Sequence, residues 1–351
     1  MTAILLSHCF HQASGAALLA RAAELGAKLE PIVLPADREA RLDADACKRI
    51  EIAYFSQDLV PDFSRQFFST CYKAEHLRWL HVFNAGTDHP VFGQMLERGV
   101  RVTTSSGANA EPVGVTAAAG MLMLARGFPG WMAAQRRHAW EPVRGDSAPD
   151  DLRGQTLLLV GVGEIGKTMA RIAQALGMHV IGVRRGSRQP EDPVDEMHPP
   201  AALDQLLPRA QWLALTCPLT DETRGMIGAG RLARLPQGAR IVNVARGEII
   251  DEQALIAALV SGHLGGAYLD VFEHEPLPAE SPLWDLPNVV LSPHNAAASA
   301  GNDARATAAF LHNLGLSARG EPMKNEVKNG GVLISPCKRL ISLEHAIQSM
   351  S

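Results

Sequence analysis

A chain of 351 residues is long enough for about two domains, each with a core of its own. Charge is nearly balanced, 33 Lys+Arg against 37 Asp+Glu for a net −4, which argues against a chain built around a basic nucleic-acid footprint. A charged fraction of 20% beside 46% hydrophobic residues excludes global disorder, and 5% aromatics disfavour a base-stacking surface.

Cys9, Cys47, Cys71, Cys217 and Cys337 are scattered with no CxxC pair, so neither a metal site nor a disulfide framework is expected. No apolar run reaches the ~20 residues of a membrane span. The start, Met1–Leu6, has no basic segment and is soon interrupted by His8. The expectation is a cytoplasmic chain with no nucleic-acid or membrane partner.

In chain order, strand-like runs occur at Ala3–Ser7, Leu29–Leu34, Ile50–Phe55, Leu77–Phe83 and Val100–Thr104, with a helical pattern at Gly15–Leu25. This alternation predicts a parallel sheet with helices on both faces. Val113–Leu124 reads as an almost wholly apolar helix, buried either in a core or in a subunit interface. After the polar Glu141–Leu152 loop a second series begins. Its strands are predicted at Thr156–Val160, His179–Val183, Trp212–Thr216, Ala239–Val244, Gly266–Leu269 and Val289–Leu291. Helices are predicted at Lys167–Leu176 and Glu252–Val260, the second capped by Asp251. The fold class is α/β, with two parallel-sheet domains.

Thr156–Val160 runs directly into Gly161-Val162-Gly163-Glu164-Ile165-Gly166 and then a helix. In that setting GxGxxG is a dinucleotide-binding turn. Gly161 permits the tight turn, Gly163 lets backbone approach a pyrophosphate, and Gly166 lets helix and strand pack closely. An NAD-preferring unit carries an acid at the end of the next strand, for the ribose 2′-hydroxyl. Here Arg184-Arg185-Gly186-Ser187-Arg188 stands there instead. Three guanidiniums and a hydroxyl suit a 2′-phosphate, so NADP is the expected cofactor, with NAD possible. Arg184→Asp should then move preference toward NAD(H).

Three later segments are VNVARGEIID (242–251), LDVFEHEP (269–276) and NVVLSPHNAA (288–297). With GxGxxG and CPLTDETRGMI (Cys217–Ile227) in order, the chain resembles the D-isomer-specific 2-hydroxyacid dehydrogenase family. It looks most like the glyoxylate/hydroxypyruvate reductase branch. The resemblance runs from the first strand to Glu321–Asn325. It implies a Rossmann NAD(P)-binding domain at 108–297 and a discontinuous flavodoxin-like substrate domain at 1–107 plus 298–327, with a returning helix near Asp303–Arg319. Residues 328–351 are a C-terminal extension without an assigned role. The crossings near Gly107 and Ala297 would serve as a hinge. A homodimer through the cofactor domain is also implied, using the Val113–Leu124 helix and the arm from Trp131 to Trp140.

The resemblance implies catalytic roles for Arg246, Glu275 and His294 in reducing a small 2-keto acid, glyoxylate or hydroxypyruvate above all. His294 would give a proton to the developing alkoxide, Glu275 would orient its ring, and Arg246 would bind the substrate carboxylate and polarise the carbonyl. Cofactor contacts are implied at Gly161, Gly163, Glu164, Ile165, Gly166, Thr216, Cys217, Pro218 and Ala245, with Asp270 at the nicotinamide carboxamide. The competing reading of Asp270 is a strand-end acid that steadies its loop. Phe83–Asp88 resembles the substrate loop, where Asn84, Ala85 and Gly86 would meet the substrate together with Arg246 and His294. Asn84 stands where the family often has Ser, and forming the turn is an equal reading of its side chain. Formate dehydrogenases fit less well. Phosphoglycerate, erythronate-phosphate and D-lactate remain rival substrates, and a nucleotide-sensing corepressor remains a rival from another class.

Overall fold

The computed structural model describes residues 1–87, 89–145 and 148–327. Asp88, Cys337 and the 328–351 extension lie outside them. The described residues divide into two compact units, one formed by residues 1–109 with 300–327, the other by residues 110–299.

In the first unit the apolar runs form five parallel strands: β1 (Thr2–Leu6), β2 (Leu29–Val33), β3 (Ile50–Phe55), β4 (Trp79–Val82) and β5 (Arg101–Thr104). Their order is β2-β1-β3-β4-β5, the flavodoxin-like arrangement. All of β4 and nearly all of β1 and β3 are buried, as strands covered on both faces must be. Helices α1 (Ala16–Glu24), α2 (Ser64–Lys73) and α3 (Pro90–Glu97) come from the intervening chain. Phe55, Phe67, Phe68, Phe92 and Met95 fill one side of the sheet. The other side gathers Ile4, Leu6, Leu18, Tyr54 and Trp79 against Phe310 and Leu314 of the returning helix Asn302–Ala318. Phe310 stacks on both Tyr54 and Trp79, with ring centroids 5.1 Å apart in each case. Within this core His81 of β4 is fully buried, bonded through Nδ1 to Thr103 Oγ1 (2.8 Å) and through Nε2 to Ser105 Oγ (3.0 Å). Burial pushes its pKa down to about 3, so the ring is neutral.

The second unit holds seven parallel strands: β6 (Thr156–Val160), β7 (His179–Val183), β8 (Glu196–His198), β9 (Trp212–Leu215), β10 (Ala239–Asn243), β11 (Leu264–Leu269) and β12 (Val289–Leu291). Their order is β12-β11-β10-β9-β6-β7-β8. The order reverses between β6 and β9, which is where such sheets open a crevice for a ligand. Helices α4 (Ala110–Ala125), α5 (Phe128–Arg136), α6 (Glu164–Ala175) and α7 (Glu252–Val260) belong to this unit. Asp251 caps α7 by accepting from the Ala254 N–H at 3.0 Å.

The apolar α4 packs inside its own unit. Glycines bring it close: a Cβ on Gly114 would come within 2.6 Å of Thr168 Cβ, and one on Gly120 within 2.2 Å of the Tyr268 ring. Ala117, Ala118 and Met121 are buried along the same helix. The apolar side chains left exposed in this region are Val115, Phe128, Trp131, Met132, Trp140 and Val143. Among the described residues no helix is long and apolar enough to cross a membrane, and no His/Cys/Asp/Glu group is arranged to hold a metal ion.

Candidate active site

The glycine turn takes its shape from the space around it. Gly161 has φ +105°, and a Cβ there would lie 2.5 Å from the Cys217 amide nitrogen. A Cβ on Gly166 would lie 2.2 Å from the Gly161 carbonyl oxygen, which accepts the Thr216 hydroxyl at 2.5 Å. Any side chain at either position would force β6, α6 and the end of β9 apart. Gly163 is the opposite case, because a Cβ there meets nothing within 4 Å. The first bond within α6 runs from the Lys167 N–H to the Gly163 carbonyl (2.8 Å). The amides of Glu164, Ile165 and Gly166 therefore precede the helical ladder and are left to an anion. Open space beside Gly163 and unladdered amides around it fit a pyrophosphate. Burial pushes the Cys217 thiol up to about 11, so it stays protonated at neutral pH.

At the end of β7 the three arginines differ. The Arg184 guanidinium folds back toward the glycine turn. Nη1 donates to Val162 O (3.1 Å) and Asp192 Oδ1 (3.3 Å), and Nη2 to Asp192 Oδ2 (2.6 Å) and Ser187 O, while Nε donates to Gly186 O (3.4 Å). The Asp192 side chain has no exposed surface and also takes Lys167 Nζ (3.3 Å) and the Gln189 N–H (2.7 Å). Burial alone would raise its carboxyl, but the Gln189, Arg184 and Lys167 hydrogen bonds outweigh it and hold the group below the usual carboxylate range. Arg188 braces the same turn by donating to Asp195 O (3.1 Å) and Val194 O (2.6 Å). The Arg185 side chain is 68% exposed and, among the described residues, its one ion-pair neighbour is Glu222, at 3.8 Å.

The three residues of the catalytic expectation project from the ends of β10, β11 and β12. After β10, buried Asn243 ties down the Arg246 loop: its Oδ1 accepts from Ala245 N–H and its Nδ2 donates to Arg246 O, each at 3.0 Å. Gly247 packs so tightly on the Phe272–Glu273 backbone that a Cβ would come within 1.9 Å of Phe272 C. The Arg246 loop and the Glu275 loop are thus in direct backbone contact. After β11, Glu275 accepts the Phe272 N–H on Oε1 (3.1 Å) and meets His294 Nδ1 with Oε2 (2.8 Å).

His294 follows β12 with φ +54°, a left-handed conformation uncommon for His. Its N–H is held by Asp270 O (2.8 Å) and Ser292 O (3.0 Å). The Glu275 hydrogen bond raises the His294 pKa above the ordinary value, against burial and the charge of Arg246. Burial opposes ionisation of Glu275, yet His294 and the Phe272 N–H prevail and lower its pKa. Both shifts favour an imidazolium–carboxylate pair bonded through Nδ1, in which Nε2 takes no part.

Asp270 is buried. Its Oδ1 accepts Ser292 Oγ (2.5 Å), Asn295 N (2.8 Å) and Ala296 N (3.0 Å), and its Oδ2 takes Ala296 N at 3.1 Å. These bonds hold the turn on either side of His294. In the first unit, the Asn84 loop follows β4. Asn84 Nδ2 closes the turn onto Gly86 O, while its buried Oδ1 has no hydrogen-bond partner among the described residues.

Asn243, Ser292, Lys167 and Asp192 were not singled out from sequence. The Asn in VNVARG had a signal, its place two residues before Ala245. Asp192 had none, since its partners Lys167 and Arg184 lie 25 and 8 residues earlier.

The model for D-isomer specific 2-hydroxyacid dehydrogenase, NAD binding domain, matches residues 118–296. A glyoxylate reductase of Korarchaeum cryptofilum is 35% identical over 273 residues, covering 75% of this chain and 80% of that one. A glyoxylate/hydroxypyruvate reductase B of Yersinia pestis is 34% identical over 266 residues, covering 75% and 80%. Among solved structures, a D-isomer specific 2-hydroxyacid dehydrogenase of Xanthobacter autotrophicus, crystallised with NADPH and MES, superposes with a TM-score of 0.71 at 29% identity. That match covers 94% of this chain and 99% of the other.

Proposed function

Because the chain belongs to the D-isomer-specific 2-hydroxyacid dehydrogenase family, oxidoreductases acting on the CH–OH group of hydroxy acids with NAD(P), we propose that it reduces glyoxylate or hydroxypyruvate with NADPH. The observation that carries this reading is the His294–Glu275 pair, bonded at 2.8 Å on the same unit as Arg246 and the glycine turn. NADPH, held at the glycine turn of Gly161, Gly163 and Gly166, would supply a hydride to the carbonyl carbon. His294, charged with the help of Glu275, gives its Nε2 proton to the oxygen that becomes the alkoxide. Arg246 meets the substrate carboxylate with a planar fork of donors and polarises the adjacent carbonyl. In the oxidation direction neutral His294 takes the proton.

The NADP(H) preference rests on the missing acid at the end of β7 and the basic turn in its place, and it accords with the NADPH held by the Xanthobacter relative. Relatives named for glyoxylate and hydroxypyruvate support the substrate class. Exposed Phe128, Trp131 and Met132 on α5, with nearby Trp140 and Val143, form an apolar surface suited to a second copy of this unit. Scattered unpaired cysteines suit the cytoplasm.

A panel of small 2-keto acids, run with NADPH and NADH in parallel, tests the reading. We expect turnover of glyoxylate and hydroxypyruvate with NADPH favoured. His294→Asn, which tolerates the left-handed backbone, should lose about 10²–10⁴-fold in kcat while still binding NADPH. Tight NADPH binding without turnover of any 2-keto acid would favour a nucleotide-sensing role instead.

A further inference from the structure

A guanidinium has five N–H groups, and in Arg184 every one has a partner: Gly186 O, Val162 O, Ser187 O and the two oxygens of Asp192. None is left for a phosphate. Asp192 is a buried carboxylate that also neutralises Lys167, at 3.3 Å. Removing Arg184 to a ligand would strand a charge out of water, which is costly. Arg185 is placed differently. It is largely exposed, and its approach to Glu222 at 3.8 Å is too long for a hydrogen bond.

We propose that Arg185, not Arg184, is the guanidinium that discriminates the 2′-phosphate, and that Asp192 is a positioning residue holding Arg184 as a brace. This rests on the NADP(H) reading above. Arg184 ties the glycine turn, through Val162 O, to the 186–192 segment, through Gly186, Ser187 and Asp192. Arg188 fixes the far side of that segment onto Val194 and Asp195. The turn between them carries Arg185 and the Ser187 hydroxyl as its phosphate-directed donors. The sequence presents three equivalent arginines, whereas the fold uses Arg184 and Arg188 as struts and leaves Arg185 to recognise the ligand.

The test is calorimetric binding of 2′,5′-ADP and 5′-AMP to the full chain, read as the ratio of their affinities, with the melting temperature alongside. Wild type should favour 2′,5′-ADP. Arg185→Gln should reduce the ratio by roughly tenfold or more, as loss of a charge-assisted contact requires, with no change in melting temperature. Arg184→Gln and Asp192→Asn should lower the melting temperature and weaken both ligands by a common factor, so the ratio stands. Should Arg184→Gln fail to fold, Arg184→Lys is the replacement variant, since it keeps the charge without the fork. A ratio that survives Arg185→Gln overturns the assignment. So does one that collapses selectively in Arg184→Lys, or one that rises in Asp192→Asn because a released Arg184 joins the phosphate. A wild-type ratio near one overturns the NADP(H) reading and this assignment with it.

Discussion

His294 carries a left-handed backbone, a raised pKa and a carboxylate on Nδ1. The backbone conformation costs roughly 1–2 kcal/mol for a residue with a Cβ, and the Asp270 and Ser292 carbonyls that hold its N–H keep it in place. The pKa has a kinetic consequence with a definite sign. Reduction needs protonated His294, so kcat/KM for the keto acid should hold at low pH and fall as pH rises through the raised value. Oxidation should show the mirror profile. Glu275→Gln removes the largest raising influence and leaves burial and Arg246 to lower the pKa, so the fall should move to lower pH, and each pH unit of movement costs tenfold in rate above it. A pH–rate profile of Glu275→Gln that overlays the wild type would show that Glu275 does not set the proton affinity of His294.

Strands at the sheet centres were legible because burial on both faces leaves a continuous apolar run. Ile50–Phe55, Thr156–Val160 and His179–Val183 have their expected limits, and so does the half-buried edge strand Val289–Leu291, whose three residues are all apolar. Edge strand β8, Glu196–His198, left no such mark, because none of its residues is fully buried and two are ionisable. Helix α2 was missed because Ser64–Lys73 mixes Arg, Gln, Ser and Thr with its aromatics, so its buried side shows only once the sheet supplies Phe55. At the site, the resemblance of VNVARG, LDVFEHEP and SPH to a known family pointed to Arg246, Glu275 and His294. Of the supports, Asn243 had a local signal that went unread, whereas Ser292 and Asp192 were invisible, because they act through distances that depend on the fold. The returning helix makes this dependence measurable. Phe310 is fully buried between Tyr54 and Trp79, so Phe310→Ala should destabilise the chain by about 3–5 kcal/mol in denaturant unfolding. A change under 1 kcal/mol would mean that the helix is not needed to close the first unit.

The glycine turn, the basic turn and Arg246, Glu275 and His294 all lie in the continuous stretch 110–299, and the first unit is assembled from the chain on either side of it. This layout sets an order of events during synthesis. The strands bearing Ile4, Tyr54 and Trp79 leave the ribosome early, but Phe310, their cover, follows only after the whole second unit. At translation rates of about 5–20 residues per second, that face waits roughly 10–50 seconds for its lid. A chain ending at residue 299 should therefore bind an apolar-surface dye that the full chain ignores, and equal dye binding by the two would contradict this. In the living cell, the newborn protein depends on whatever keeps that unfinished surface from sticking to its neighbours until the last stretch arrives.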